Sequence, residues 1–547
     1  MSSKRTRLVR LLDRGFYPVE LPPVFATRNY SSAANSILAN LSNQRTKHYS
    51  VMLNFDGSTY QGNLRTFGII NPVNFCILSD FIAAQWSNLQ KVYKLSSSSG
   101  SRPVFPNKSA SGRAIHTASL ATKRQNLKHM AGSFPKVLTL DINRFYGTIY
   151  THSIPWASLG KNEAKKRFHN HSLKSHWSDE LDTLTRNCNS KQTVGIPIGP
   201  DTSRIISELI LSRVDYDMVK NHSEIIPSAF FHNIDDYQFG IFRIEEAELA
   251  QSKFVWAIQR MELRLNDYKT RLDSGLDFAP SNWQRSFDFV SSLSGTRAVE
   301  AFFDQLYKCM SDHPNSNVVG YSLKKFGGQL ASNARRELVL EYLQRLIFAA
   351  PHNARWIFPI YLGICERFSS IEVNQKRAVR WGADVCVRRA DIGSLLWFLY
   401  AAFYLNIKFG KELSERCFAL GNPLIDLMLI DGKQRGLISI SLSEFRQRYR
   451  DSDFMSRDAI LLYEVEKRGW DTSKTFCKIG TQKDAFDCFS SFLSHGVDFY
   501  RPEKSSFQVS AFPGWNLRDD DFEESSETKA WSDFASLFEK LEQEIYE

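Results

Sequence analysis

Three carboxylates are placed where they could do chemistry. Asp141 closes the apolar run 137–140 of KVLTLD, so a strand would hold it on rigid backbone at the edge of a core, where it can ligate a cation. Asp235 and Asp236 are adjacent and separate two apolar runs in FFHNIDDYQFGIF, 230–242, as at the tip of a β-hairpin. Aspartates at strand ends and turns are often plain turn formers. A tight hairpin, however, needs positive φ and prefers Asn-Gly or Asp-Gly, and no glycine accompanies this pair. Between the two acidic segments lies VGIPIGPDTSRIISELILSR, 194–213. Gly195, Pro197 and Gly199 there make a stiff loop feeding a helix N-terminus, a place where a nucleotide or primer end can approach the backbone closely. Downstream, LRLNDYKT (263–270) sets Lys269 just before an extended segment.

Positioning these groups requires strands at 137–140 and 230–234 and a helix over 202–220, whose apolar residues Ile205, Ile206, Leu209, Ile210 and Met218 recur at helical spacing. Asp201 is placed to cap that helix, and Pro200 stops what precedes it. The run SSSSGSRP, 96–103, reads as a turn-rich loop. After about 285 the pattern changes: 296–310, 331–349, 356–370, 375–389 and 392–406 all read as helices, which suggests a bundle or helical solenoid. The last thirty residues turn acidic at Asp519, Asp520, Asp521, Glu523, Glu524 and Glu527 before a final amphipathic helix.

Composition bounds what such a site can belong to. With 547 residues, 43% hydrophobic and 23% charged, the chain has globular composition, which excludes wholesale disorder. Its 69 Lys plus Arg against 59 Asp plus Glu leave a net charge of +10, which permits an anionic partner. The N-terminal MSSKRTRLVRLLDR is either a solvated helical face or a phosphate-binding arm, and it lacks the apolar stretch of a signal peptide. The eight cysteines form no C-x-x-C pair, so zinc is not expected. The longest apolar run, 395–405, is too short to cross a bilayer. The expectation is a cytoplasmic protein with no membrane partner.

The order of the parts carries a resemblance. A strand-end Asp with an aromatic five residues on, G-x-P-x-G opening a helix, I-D-D in a hairpin and L-N-x-x-K-T together resemble the palm of reverse transcriptases. FYGTIYTHSIPWA, GIPIGPDTSRII and NIDDY are more narrowly similar to the abortive-infection (Abi) branch of bacterial reverse-transcriptase-like polymerases. They are most similar to the Abi polymerases of P2-like prophages, with the lactococcal AbiK polymerase more distant. The resemblance implies an α+β fold: a polymerase domain over 1–285, with fingers to about 135 and palm over 136–285, then an all-α HEAT-like domain over 286–547.

It also implies roles. Asp141, Asp235 and Asp236 would hold Mg²⁺ or Mn²⁺, hard cations that favour carboxylate oxygen and substrate phosphate. Two such ions about 3.5–4 Å apart clamp the attacking and leaving oxygens of phosphoryl transfer. Tyr146 matches the aromatic gate that excludes a ribose 2′-OH, implying dNTP use. Lys269 matches the lysine beside the leaving pyrophosphate, and Arg65, in NLRTFGIINP, a fingers arginine on the triphosphate. Val194 and Asn233 depart from the glutamine and aromatic usual at those positions, which puts ordinary template copying in doubt. The Abi branch implies template-independent, protein-primed DNA synthesis in phage defence by a bacterial or prophage-encoded homo-oligomer, leaving single-stranded DNA attached to the protein. Tyr17 and Tyr30 are the priming candidates. A templated RNA-directed DNA polymerase and a catalytically silent nucleic-acid-binding scaffold stand as alternatives.

Overall fold

In the computed structural model the described residues are 2–41, 44–106, 112–117, 120–221, 229–275, 282–287, 295–365, 373–471 and 483–502. The acidic stretch 519–527 and the expected final helix lie outside them, as do residues 366–370. The fold is α+β, mostly helical with two small antiparallel sheets.

A two-stranded ribbon pairs β1 (Leu53–Ser58) with β2 (Leu64–Ile69), with Leu53 opposite Ile69. The second sheet contains β3 (Lys136–Asp141), β4 (Phe230–Asn233), β5 (Asp236–Ile241) and β6 (Arg271–Ser274), in the spatial order β4-β5-β3-β6. β3 is central because both its faces are covered: Val137, Leu138, Leu140 and Asp141 are all buried. Opposite Val137 stands Gly240, where a Cβ would fall 2.2 Å from the Phe134 ring, so glycine lets that ring close over the sheet. The Asp201–Asn221 helix lies against this assembly, with Ile205, Ile206, Leu209, Ile210, Val214 and Met218 buried.

Beyond residue 285 the described elements are helical: Thr296–Asp312, Val318–Ala331, Arg336–Ala349, Ala354–Cys365, Val373–Arg388, Ile392–Tyr404 and those that follow to Lys483–Ser494. The stretch 331–349, read as one helix, contains a break: Val318–Ala331 ends where Arg336–Ala349 has yet to begin. The apolar run 395–405 falls in the buried Ile392–Tyr404 helix, and among the described residues no helix is long and apolar enough to cross a membrane. Seven described cysteines are free and buried.

One continuous apolar core runs from Leu11 to Tyr500 across position 285. The last described segment closes it. Arg28 and Asp498 form an antiparallel bridge, Tyr17 donates its hydroxyl to the Phe499 carbonyl at 2.9 Å, and Phe492 and Phe499 pack edge-on against Tyr30. Buried Glu464 pins this strap by accepting from the amides of Phe499 and Tyr500 at 2.6 and 3.0 Å. Burial pushes its carboxyl up to about 7.

The basic N-terminus is in part the solvated helical face its composition allowed, with Lys4, Arg5 and Arg14 exposed, and in part turned inward. In the Lys4–Arg14 helix, Arg10 is buried and donates to the carbonyls of Ala114 and Arg113. Arg7 donates to the Ala83 carbonyl at 3.1 Å, and Lys4 pairs with Asp80 at 2.7 Å. Arg7 and Arg10 are used as internal clamps.

Candidate active site

β3, β4 and β5 bring the three acids to one end of the sheet. Antiparallel register sets Asp141 opposite Asp236, and Asn233 opposite Asp236 closes a two-residue turn made of Ile234 and Asp235. The hairpin is where the sequence predicts it, but Asp236 belongs to the strand and only Asp235 to the turn. The positive φ that such a turn needs is taken by Ile234, at 58°. For a β-branched residue this conformation costs roughly 1–3 kcal/mol, and it persists only where the surroundings impose it. The Ile142 amide donates to the Asp235 carbonyl at 3.2 Å, tying the turn to the end of β3.

Asp141 is almost fully buried. Its carboxylate accepts from Asn266 Nδ2 at 2.7 Å and Lys269 Nζ at 2.8 Å, and its carbonyl accepts from the Asn266 amide at 2.8 Å. The segment after the Ile244–Arg260 helix thus delivers both partners. Burial pushes the Asp141 carboxyl up against the stabilising contacts of Lys269 and Asn266. Asp235 is pushed up to about 6, by desolvation first and then by Asp236 and Asp141. Partial burial pulls Lys269 down, yet its hydrogen bond to Asp141 and the surrounding acids leave it raised and charged. Lys269 thus pairs with Asp141 and feels the charge of Asp235 and Asp236 as well.

A hard divalent cation fits the three acids by donor chemistry, since the set is all carboxylate oxygen. It is not gathered as a finished ligand sphere. Among the described residues no group of three or more His, Cys, Asp or Glu is positioned to hold a metal ion, and Asp141 faces Asn266 and Lys269 instead.

Tyr146 stands beside the acids. Its phenol is raised by burial, and among the smaller influences Arg204 opposes this while Asp235 adds to it. Its ring lies 5.4 Å from that of Phe145, and its hydroxyl accepts from Ser207 at 3.5 Å. The glycine-proline loop anchors it: the amides of Ile196 and Gly195 donate to the carbonyls of Tyr146 and Ile149 at 2.9 and 2.8 Å. Gly195 takes φ 87° and Gly199 φ 129°. Pro197 packs so closely on β2 that a Cβ on Gly68 would meet it at 2.7 Å. The loop is stiff, as expected, and its backbone donors are largely spent on holding the Tyr146 segment.

Arg65 lies elsewhere. It is exposed on β2 opposite Gly57, three residues beyond the Gly68–Ile198 hydrogen bond, and among the described residues no hydrogen bond or ion pair joins it to the acids. Tyr17 and Tyr30 are corrected as priming candidates. Both are buried in the aromatic core, their hydroxyls donate to the carbonyls of Phe499 and Pro72, and burial raises both phenols far above their ordinary range. Asp201 does not cap its helix. Its buried carboxylate accepts from Arg113 at 2.7 and 3.1 Å and from the Ala114 amide at 3.0 Å.

Sequence reading missed what holds the acidic turn. His232, on β4 two residues before Ile234, is fully buried with Nδ1 2.9 Å from Asp215 Oδ2 and Nε2 3.6 Å from Glu208 Oε2. Burial alone would lower this imidazole, but the two carboxylates, Asp215 foremost, push it up to about 10. The serine run surrounds the ion cluster. Ser96 donates to Asp215, Ser99 and Ser101 donate to Glu208 at 2.5 and 2.9 Å, and Tyr237 donates to Asp215 at 2.9 Å. Ser101 Oγ also accepts from the Ile234 amide at 2.9 Å, and the Gly100 amide donates to the His232 carbonyl at 2.7 Å. The strained residue is therefore gripped from the 96–101 loop. The available signal was Glu208 and Asp215, seven apart and so on one face of the Asp201–Asn221 helix.

The sequence matches no protein-family model and no curated protein.

Proposed function

We propose that this chain is a nucleotidyltransferase of the reverse-transcriptase-like kind, adding dNMPs without a template in the manner of the Abi polymerases. In this reading β1–β2 and the N-terminal helices serve as fingers, β3–β6 as palm, and the helices after 285 as a HEAT-like part. The observation that carries it is the meeting of Asp141, Asp235, Asp236 and Lys269 at one end of the β4-β5-β3-β6 sheet, although they come from three separate stretches of chain.

The residues divide the work as follows. Asp141, Asp235 and Asp236 would hold the divalent cation, Mg²⁺ or Mn²⁺. When bound, the cation supplies charge neutralisation on phosphoryl oxygens. Lys269, charged and largely exposed at its tip, is placed to neutralise or protonate a leaving pyrophosphate. Tyr146 presents a ring beside Asp235, where it would exclude a 2′-OH. A priming hydroxyl is to be sought among exposed tyrosines, of which Tyr268, next to Lys269, is fully exposed. Phage defence and a closed homo-oligomer belong to the same reading.

The test is incubation of the purified full chain with labelled dNTPs and Mg²⁺, without template. Label should appear on the protein and disappear in Asp235→Asn. Label that persists in that variant sinks the site. Product that follows an added RNA sequence replaces the untemplated reading with a templated one, and no label at all supports a silent scaffold.

A further inference from the structure

The helix Lys161–His169 and the turn after it form a surface that the carboxylate site does not use. Over 161–175, KNEAKKRFHNHSLKS, five Lys or Arg face a single acid, Glu163. That acid is taken by Arg167 at 2.8 Å, and Lys161 is taken by Glu262 at 2.7 Å. Lys165, Lys166 and Lys174 are exposed, and none has an ion pair among the described residues. In their midst Phe168 is 68% exposed, on the helix face it shares with Lys165. Ala164 and Leu173 are buried and anchor the segment, so the exposed face is held on folded backbone.

We infer that this face binds single-stranded nucleic acid, with Phe168 stacking on an unpaired base and Lys165, Lys166 and Lys174 contacting phosphates. The chemistry selects the partner. A cationic rim fits the phosphate chain, and a flat ring standing in it fits a base face, which only an unpaired strand offers. One aromatic without apolar neighbours is too little for a lipid surface. The polar remainder, His169, Asn170, His171 and Ser172, suits a wet interface. Position supports the assignment: the Lys161–Glu262 pair ties this helix to the segment that ends in Asn266 and Lys269. The inference does not depend on catalysis, because its readout is binding.

The test is fluorescence anisotropy of the full chain with a labelled oligo(dT) of about 20 nucleotides, long enough to fill a strand-binding site of roughly 4–16 nucleotides. Phe168→Ala should weaken binding about tenfold with little change in salt dependence, and Phe168→Trp should restore it. Replacing Lys165, Lys166 and Lys174 by Ala should flatten the slope of log affinity against log salt by about two. A duplex of the same length should be insensitive to Phe168→Ala. Unchanged affinity in both variants, with melting temperatures kept, overturns the inference. Equal loss on duplex and single strand overturns the stacking role.

Discussion

Replacing His232 with Gln tests whether the buried ion cluster holds the acidic hairpin. The variant keeps the volume and removes the one cation that, among the described residues, lies within ion-pair distance of both Asp215 and Glu208. Breaking a buried ion pair from one side costs about 3–5 kcal/mol. The hydroxyls of Ser96, Ser99, Ser101 and Tyr237 remain as donors, which places the loss near the lower end, about 3 kcal/mol. The raised imidazole gives the same direction. A folded pKa of about 10 against an ordinary 6.5 means its stabilisation is complete below 6.5 and lost as pH rises through 10. Hydrogen exchange read by mass spectrometry on peptides covering 230–241 isolates the hairpin from the rest of the chain. At neutral pH, protection there should fall about a hundredfold, and the gap from the wild type should narrow towards pH 10. Adding Asp215→Asn should recover part of the loss, as expected for coupled partners. Protection within about threefold of wild type, or simple additivity in the double variant, would refute the reasoning.

Three further outcomes are expected. Initial rates of dNMP incorporation should fall on acidification, and excess Mg²⁺ should move the acid limb to lower pH, because protons and the cation compete for the Asp235 carboxylate, which burial and its acidic neighbours push up. A pH–rate profile with no Mg²⁺-dependent acid limb contradicts the assignment. Lys269→Ala should lower incorporation by about 10²–10⁴-fold, and Lys269→Arg should recover part of it. Gly199→Ala should cost more than about 1 kcal/mol in thermal stability, since φ is 129° and the new Cβ would lie 2.4 Å from Pro18 Cγ. Gly436→Ala, at φ 70° with open space around it, should cost less.

The sequence revealed most where local pattern and burial agree. VLTL reads as a strand and forms the middle of β3, because the adjacent apolar pair Val137 and Leu138, both buried, needs a sheet covered on both faces. The 202–220 pattern became the Asp201–Asn221 helix for a similar reason. Polar groups acting over distance left no local trace. SSSSGSRP looks like any turn-rich loop, and its use in gripping β4 depends on Glu208 and Asp215, more than a hundred residues away. The N-terminal arginines misled in the opposite direction, since charge composition does not show whether a guanidinium meets solvent or a backbone carbonyl. The acids were located by type and spacing, but the exchange of strain onto Ile234 required the register of β4 on β5.

The strap that bridges Arg28 to Asp498 also has a consequence in time. Phe16, Tyr17 and Tyr30 are synthesised several hundred residues before Phe492 and Phe499, whose rings and carbonyls cover them. At about 5–20 residues per second the earlier surface waits on the order of half a minute to a minute and a half for its cover. A growing chain of this design carries an unfinished aromatic face while all the residues between are made, which is the kind of surface chaperones bind. Translation halted between the Ile392–Tyr404 helix and Phe492 would leave that face permanently bare.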